Sequence, residues 1–443
     1  MRTEVQSPKR QARKLEAKGQ RTAGHRSWGT GRAVVVACFP IIVGFAASAP
    51  AQDSLQLSLQ NVSAAETRQR QLLKDQPYTV RWGEMNVLAG FSMAGGWNDN
   101  VNLSHSDPRE DFFILPLGNL NLFWPVTDVN ALTFSIGVGY EKFFRHDEYD
   151  QLWVMPGSLL GWDVVIKDFK LNFHDFVSFE QDPTSAGAVS GLGRFGSLDN
   201  TAGLVASWDL HDVALSVGYD HENAFYSPSS YEYLNHSSDF GFLRASLQVH
   251  PAAKAGLEAA GGPTGYARRP VRDNVTYSLG AFGDWEATEH LRVQARGGYY
   301  DYDFYNQAPA AASPDQDGYY FSLRLTHDLR QDLSYSLTVG RQAYFGVYSP
   351  LTEEWYGKAT MNWRVNEYLA VSAGFKYERA TQPIVAEFSD DYDRMSATLR
   401  VSCPIKERLI ASVDYQYWLK DDEVTSSRDY QQNRVTLELT YRF

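Results

Sequence analysis

The sequence predicts an all-β fold: a transmembrane antiparallel β-barrel of about 18 strands, of the kind found in bacterial outer membranes. From about residue 85 to the C-terminus, segments of about ten residues alternate apolar and polar side chains, which is typical of strands with two different faces. The links between these segments alternate between short and long. No stretch after residue 52 reaches the ~18 consecutive apolar residues of a transmembrane helix, so a membrane-spanning chain has to close its strands into a barrel.

The last segment shows the alternation most clearly. Every second residue from Val435 to Phe443 is apolar, whereas those between them, from Arg434 to Arg442, are polar. A barrel turns the first face to lipid and the second to a wet lumen. The predicted strands are 85–98, 111–124, 131–145, 151–166, 169–179, 199–210, 213–225, 239–250, 253–263, 274–286, 291–302, 317–329, 333–345, 355–365, 369–379, 393–403, 409–419 and 433–443.

The links also indicate how the barrel is oriented. Outer-membrane barrels have short periplasmic turns and long external loops, and an even number of strands places both termini in the periplasm. Aromatic residues make up 14% of the chain, and four tryptophans each stand just before a short turn. We therefore predict a periplasmic aromatic girdle, since tryptophan collects at membrane interfaces. It consists of Trp124, Trp208, Trp285 and Trp363.

The N-terminal region has a different composition. Residues 1–51 combine a long basic leader, the apolar run Ala33–Ala47 and small residues up to Ala51, which predicts a cleaved signal peptide. A single-pass membrane anchor is the alternative. Residues 52–80 are predicted as a periplasmic segment, either a docking arm with a short helix or a flexible leader. Residues 81–443 form the predicted barrel.

Charge and cysteine content exclude several functions. The net charge of −12 becomes −19 when residues 1–51, with nine basic and two acidic residues, are removed. Nucleic acid is therefore not an expected partner. Cys403 is then the remaining cysteine, so neither an intrachain disulfide nor a cysteine-based metal site is predicted. We also expect no cofactor.

The later strands carry a set of cations at inward positions. Inward positions of the earlier strands are small, polar or acidic, such as Glu141, Asp209 and Asp220. A basic wall of this kind can guide an anionic polymer or select anions; alternatively, the cations pair with acids such as Asp414 and Glu438 and hold the shape of the barrel. The predicted basic wall consists of Arg292, Arg296, Arg324, Lys358, Arg364, Lys376, Arg394, Arg400, Arg434 and Arg442.

The predicted external loops are rich in aspartate and tyrosine. Such carboxylates can hold Ca²⁺ or Mg²⁺ against lipopolysaccharide, but solvated loop tips need no such role, and no calcium-loop spacing is present. We predict no metal site. Membrane lipid and lipopolysaccharide are expected partners. The acidic segments are 107–111, 147–150, 301–303, 390–393 and 421–423.

Signals for catalysis are weak. Ser104, His105 and Asp107 have the residue types of a hydrolase triad, but neighbours in one loop cannot hold an imidazole between two partners. The histidines lack zinc-ligand spacing. The glycine-rich segment 191–196 precedes a predicted strand, not the helix of a dinucleotide site. We therefore do not expect an enzyme.

Segments Gly95–Val101, Asp111–Phe113, Leu122–Val126 and Thr133–Tyr140 resemble the β-barrel porin 2 family, and the resemblance extends over about residues 80–443. It implies an 18-stranded secretion pore for a surface polysaccharide, with a periplasmic polysaccharide-export protein as partner. The ending Tyr441–Phe443 resembles the C-terminal signal that the barrel-assembly machinery reads.

The resulting expectation is an outer-membrane channel that exports a surface polysaccharide or another anionic solute. A general or substrate-specific diffusion porin would use the same fold and the same basic wall. A closed structural or adhesin barrel is the third alternative, and it predicts no conductance.

Overall fold

The computed structural model describes residues 78–181, 195–305, 316–347, 349–382, 391–424 and 426–443, and most of them lie in β-strands. Within these ranges no helix is long and apolar enough to cross a membrane. Each of the 18 predicted strands is observed within a few residues of its predicted limits. The strands are β1 (Val80–Trp82), β2 (Met85–Asn98), β3 (Asp111–Thr127), β4 (Asn130–Phe143), β5 (Gln151–Ile166), β6 (Phe169–Glu180), β7 (Gly196–Asp209), β8 (Val213–Ser227), β9 (His236–His250), β10 (Ala253–Tyr266), β11 (Asn274–Thr288), β12 (Leu291–Phe304), β13 (Gln316–Arg330), β14 (Leu333–Tyr344), β15 (Thr352–Asn366), β16 (Leu369–Thr381), β17 (Tyr392–Lys406), β18 (Leu409–Asp422) and β19 (Tyr430–Arg442).

Strands β2 to β19 form a closed antiparallel barrel. Each pairs with the next along the chain, and β19 returns to pair with β2 from Arg434 opposite Asn98 to Arg442 opposite Gly90. The predicted 18-stranded barrel is thus confirmed. Closure satisfies the backbone hydrogen bonds of both terminal strands, which lipid could not do.

Strand β1 is an addition that the sequence pattern did not predict. It pairs with the start of β2, with Val80 opposite Val87 and Trp82 opposite Met85. It lies along the same edge of β2 that β19 occupies further on. Three residues are too few to show an alternation. The predicted signal peptide and residues 52–77 lie outside the described residues, so the predictions for them stay untested.

The links alternate as predicted. Two or three residues join the strands at one end, and seven or more join them at the other. Several strands continue further into the external side than predicted. Tyr392 belongs to β17 and Asp422 to β18, so these parts of the predicted acidic loops are wrong. Their side chains continue the strand alternation and are buried on the inner face.

The outer face of the barrel is apolar. Leu257, Leu279 and Leu437 are each at least 60% exposed, and many more large apolar side chains alternate with inward polar ones. A continuous exposed apolar surface of this extent marks contact with lipid. The chain is therefore an outer-membrane β-barrel.

A bulge in β5 could have changed which side chains of this strand face inward. Ser135 pairs with Leu159 and Val138 with Val154, so five residue steps on β5 oppose three on β4. Gly157 takes a positive φ of 87° at this bulge, which glycine adopts without strain. Because the insertion is an even number of residues, side chains beyond it keep their inward or outward direction.

Candidate functional site in the barrel lumen

The registers place the side chains of all ten residues of the predicted basic wall on the inner face. Arg434 and Arg442, for example, alternate with the exposed Val435, Leu437 and Tyr441. Lys358 and Lys376 are directly paired residues of β15 and β16. Their partners separate these cations into two groups.

Six of the ten cations form ion pairs with acids of the inner wall. For these six, the structure supports the interpretation that the pairs hold the shape of the barrel, because each charge is compensated at short range. The pairs are Arg292–Asp284, Arg296–Glu258, Lys376–Glu378 at 2.5 Å, Arg394–Glu378 at 2.6 Å, Arg400–Glu438 at 2.6 Å and Arg434–Glu141 at 2.5 Å.

Glu378 is the centre of the most buried of these networks. Its carboxylate accepts from both Lys376 and Arg394, and both Glu378 and Arg394 are 1% exposed. The guanidinium of Arg394 also lies 5.2 Å from the ring centre of Trp418. Such a network stabilises the wall only while all of its members are present, since a buried charge without its partner is costly.

The other four cations have no acidic partner among the described residues: Arg324, Lys358, Arg364 and Arg442. Arg324 and Arg364 are exposed to the lumen. Arg324 pairs through Thr338 of β14 with Lys358, which pairs with Lys376, so three cations share one row across the sheet. Adjacent strands lie about 4.8 Å apart, so the Cα atoms of Arg324 and Lys358 are separated by about 10 Å. We call the set of four the unpaired basic wall.

Further inward cations escaped the sequence analysis, and Arg244, Lys254 and Lys406 are three of them. The alternation in the predicted strands already placed Arg244 and Lys254 inward, whereas Lys406 lies beyond the predicted end of β17. The guanidinium of Arg244 stacks 3.6 Å from the ring centre of Phe282. No ion pair of these three is found in the described part of the chain.

On the opposite wall, most of the charged side chains that face inward are acidic. On strands β3 to β8, Lys170 is the one lysine or arginine that the described registers direct inward. Buried His174 lies 3.0 Å from Asp220 and 2.9 Å from Asn172. The lumen therefore has a transverse field. The inward acids of β3 to β8 are Asp111, Glu141, Asp163, Glu180, Asp199, Asp209, Asp220 and Glu222.

The link between β14 and β15 narrows the extracellular half of the lumen. It folds into the barrel, and we call its described residues, 345–347 and 349–351, the inward turn. Leu351 is fully buried and Val347 is 4% exposed. Aromatic side chains of the inner wall and of two other links surround this turn. They are Phe195, Tyr226, Tyr231, Tyr233, Tyr300, Tyr302, Phe304 and Tyr320.

The link between β2 and β3 covers the inner wall on the other side. Leu103 packs against Trp418 and Tyr430, all at most 2% exposed. Ser104 accepts a hydrogen bond from the backbone N–H of Asp107 at 3.1 Å, so this serine stabilises a turn. The extracellular half is thus narrowed from two sides, whereas Arg324, Arg364 and Lys406 are exposed in the periplasmic half.

Carboxylates at the external end of β3 and in the β4–β5 link accept hydrogen bonds from backbone N–H groups. Asp111 accepts hydrogen bonds from the N–H groups of Arg145 and His146, each at 2.8 Å. Asp150 accepts from Phe143 N–H and pairs with Lys142. The described residues contain no group of three or more potential metal ligands. Asp111 and Asp150 therefore stabilise the backbone of the external links.

The four tryptophans of the predicted girdle lie on the outer face. They occur on every fourth strand, β3, β7, β11 and β15, and are 36 to 53% exposed. Trp208 stacks on Phe169 with ring centres 5.1 Å apart. Tyr441 and Phe443 also face outward, in edge contact at 5.1 Å. The roles of these residues in membrane anchoring and assembly stay predictions.

Comparison with known proteins found no matching family model and no matching curated protein. The resemblance of residues 95–140 to a porin family therefore also stays a prediction. Solved structures with a similar chain course include OccK3 (OpdO) of Pseudomonas aeruginosa, with 10% identity and a TM-score of 0.44 over 81% of this chain and 96% of that one. OccK8 (OprE) of the same organism has 10% identity and a TM-score of 0.46 over 81% of this chain and 98% of that one. A BenF-like porin of Pseudomonas fluorescens Pf-5 has 9% identity and a TM-score of 0.45 over 81% of this chain and 99% of that one.

Proposed function

We propose that this barrel is a diffusion channel that selects small anionic solutes. The observation that carries the proposal is the unpaired basic wall. Arg324, Lys358, Arg364 and Arg442 face the lumen without an acidic partner among the described residues. Cations in ion pairs contribute little field at a distance, whereas these four leave a net positive charge on one side of the lumen.

The shape of the lumen supports electrostatic selection. Its walls exclude water on the outer side, and a charge near a low-dielectric wall acts over a longer distance than in bulk water. The acidic wall of β3 to β8 faces the basic wall, and this contrast orients a solute that carries a charge at one end. A small anion would therefore follow the basic wall from the periplasmic half toward the inward turn.

Export of a surface polysaccharide, with a periplasmic export protein as partner, is the less supported alternative. This alternative follows from the resemblance to the porin family, but no family model matches the chain. The inward turn and the β2–β3 link pack against the inner wall in the extracellular half, with Leu103 and Leu351 at most 2% exposed. A narrowed lumen fits the passage of small solutes better than that of a polymer.

Uptake by proteoliposomes tests this proposal with two solutes of similar size, anionic gluconate and neutral sorbitol. The wild-type barrel is expected to favour gluconate. A variant with Arg324→Ser, Lys358→Ser and Arg364→Ser should lose that preference, because no ion pair is broken and the charge alone is removed. Arg408→Ser, in the short turn between β17 and β18, is the matched control and should retain it.

Heat-modified gel mobility verifies that each variant is a folded barrel. Equal uptake of gluconate and sorbitol by the wild type would contradict the proposal, as would a preference that the triple variant retains. No uptake of either solute by a verified barrel would favour the closed structural alternative.

A further inference from the structure

Arg272 lies in the link between β10 and β11 and reaches the inward turn. It is 2% exposed. Its Nη1 donates to the carbonyl of Gly346 and its Nη2 to that of Val347, both at 2.8 Å. One guanidinium thus bridges two successive carbonyls of a link that is distant in sequence.

Two aromatic rings flank this guanidinium. It lies 5.8 Å from the ring centre of Tyr233 and 5.9 Å from that of Tyr266. The Tyr233 hydroxyl donates to the same Val347 carbonyl at 3.4 Å. Burial lowers the pKa of Arg272 from its ordinary value. Three external links therefore meet at this residue.

Side-chain contacts have to position the inward turn, because backbone pairing with β13 does not extend to it. The pairing of β13 with β14 stops at Phe321 opposite Arg341, although β14 continues to Tyr344 and pairs there with β15 alone. The end of the β14–β15 hairpin thus departs from β13. Side chains hold it instead: Glu353 pairs with Arg341 at 2.6 Å and accepts from the Tyr300 hydroxyl at 2.6 Å.

We propose that Arg272 is the positioning residue that holds the inward turn in the lumen and thereby sets the width of the extracellular constriction. The effect on solute size rests on the proposed channel function. The effect on the turn itself does not, because it concerns the folded barrel whether or not it conducts.

The planar guanidinium is the group that this geometry requires. Two of its N–H groups point in fixed directions and can reach two neighbouring carbonyls at once, whereas a lysine ammonium is a compact point charge. Arg272→Lys therefore keeps the charge and removes the two-carbonyl bridge. Arg272→Met keeps the apolar stem and removes both.

Hydrogen–deuterium exchange of the full-length barrel in phospholipid vesicles measures the hold on the turn directly. In both Arg272 variants, the peptide that contains Gly346 and Val347 should exchange at least about tenfold faster, as expected for the loss of a hydrogen bond from a charged donor. Arg268→Lys and Arg268→Met are the matched controls, since Arg268 is exposed and pairs with Glu232 at the surface. They should leave that peptide unchanged. Unchanged exchange in both Arg272 variants would overturn the proposal.

The second readout is the size of neutral polyethylene glycol that enters the channel and lowers its conductance. Arg272→Lys should admit larger polymers than the wild type and the Arg268 controls. Faster exchange with an unchanged polymer limit would contradict the claim that this turn sets the width. If the folded wild type does not conduct, the proposed channel function fails, and the exchange experiment alone decides whether Arg272 holds the turn.

Discussion

Lys358 and Lys376 are directly paired residues of β15 and β16, and both side chains face the lumen. Like charges in this position destabilise a sheet. Glu378 compensates Lys376 at 2.5 Å, but Lys358 has no acidic partner among the described residues. The wall therefore retains one cation at a cost in stability, which is typical of a residue kept for function.

Replacement of Lys358 should increase the stability of the barrel and at the same time weaken its function. Lys358→Met is expected to raise the free energy of unfolding by about 0.5 kcal/mol, because it removes a repulsion between paired like charges. It should also weaken the anion preference of the channel. Urea titration in phospholipid vesicles, followed by tryptophan fluorescence, measures the first effect. Lys254→Met is the control, since its paired neighbour is Asp284, and it should not stabilise the barrel. A destabilised Lys358→Met barrel would show that Lys358 has a structural role.

The buried network around Glu378 should respond in the opposite way. Glu378→Gln leaves Lys376 and Arg394 without their shared carboxylate, and we expect a loss of about 3–5 kcal/mol in unfolding free energy. The matched control is Glu423→Gln, which breaks a pair with Arg379 whose side chains are both about half exposed. Such surface pairs contribute about 0–1 kcal/mol. Equal losses in the two variants, measured by the same titration, would refute the buried network as a stabilising element.

Gly203 makes room for the contact between His174 and Asp220 on the acidic wall. A Cβ atom at this position would overlap Asp220 Oδ1 and His174 Nε2. Gly203→Ala should therefore displace both side chains and destabilise the barrel by about 1–3 kcal/mol. Gly241→Ala is the control, because no atom lies within 4 Å of a Cβ there. Thermal unfolding of both variants tests this, and equal stability would mean that the contact is dispensable.

Cys403 allows the strand phase to be tested directly. Its side chain lies on the outer face near the periplasmic end of β17, and it is exposed. A fluorophore on Cys403 should be quenched by nitroxide-labelled lipid. The same label on a Ser402→Cys, Cys403→Ser variant faces the lumen and should instead be quenched by a water-soluble agent. The reverse pattern would show that β17 is out of phase with the described barrel.

The period-two pattern was sufficient to predict the fold, because a strand alternates faces whatever its neighbours are. In β5, the two-residue insertion keeps the residues on both sides of it in phase. Ion pairs could not be predicted in the same way. Arg434 of β19 meets Glu141 of β4, and that contact depends on barrel closure and on side chains that reach over two intervening strands.

The period-two alternation also did not predict the inward turn, although the composition of this link gave one indication of it. Val347 and Leu351 are apolar residues between the predicted strands 333–345 and 355–365, in a link that should be solvated. Apolar side chains there indicate a loop that packs against something, but the sequence does not say whether this is the lumen, lipid or a partner. Arg272 was not singled out because its partners are backbone carbonyls, which carry no residue identity.

The most direct test of the central claim is the reversal potential of the refolded barrel across a planar bilayer with a KCl gradient. We predict a potential with the sign of chloride preference for the wild type and for Arg408→Ser. The potential should move toward cation preference when Arg324, Lys358 and Arg364 are replaced together by serine. A cation-selective wild type, or a triple variant with the wild-type potential, would contradict selection of anions by the unpaired basic wall.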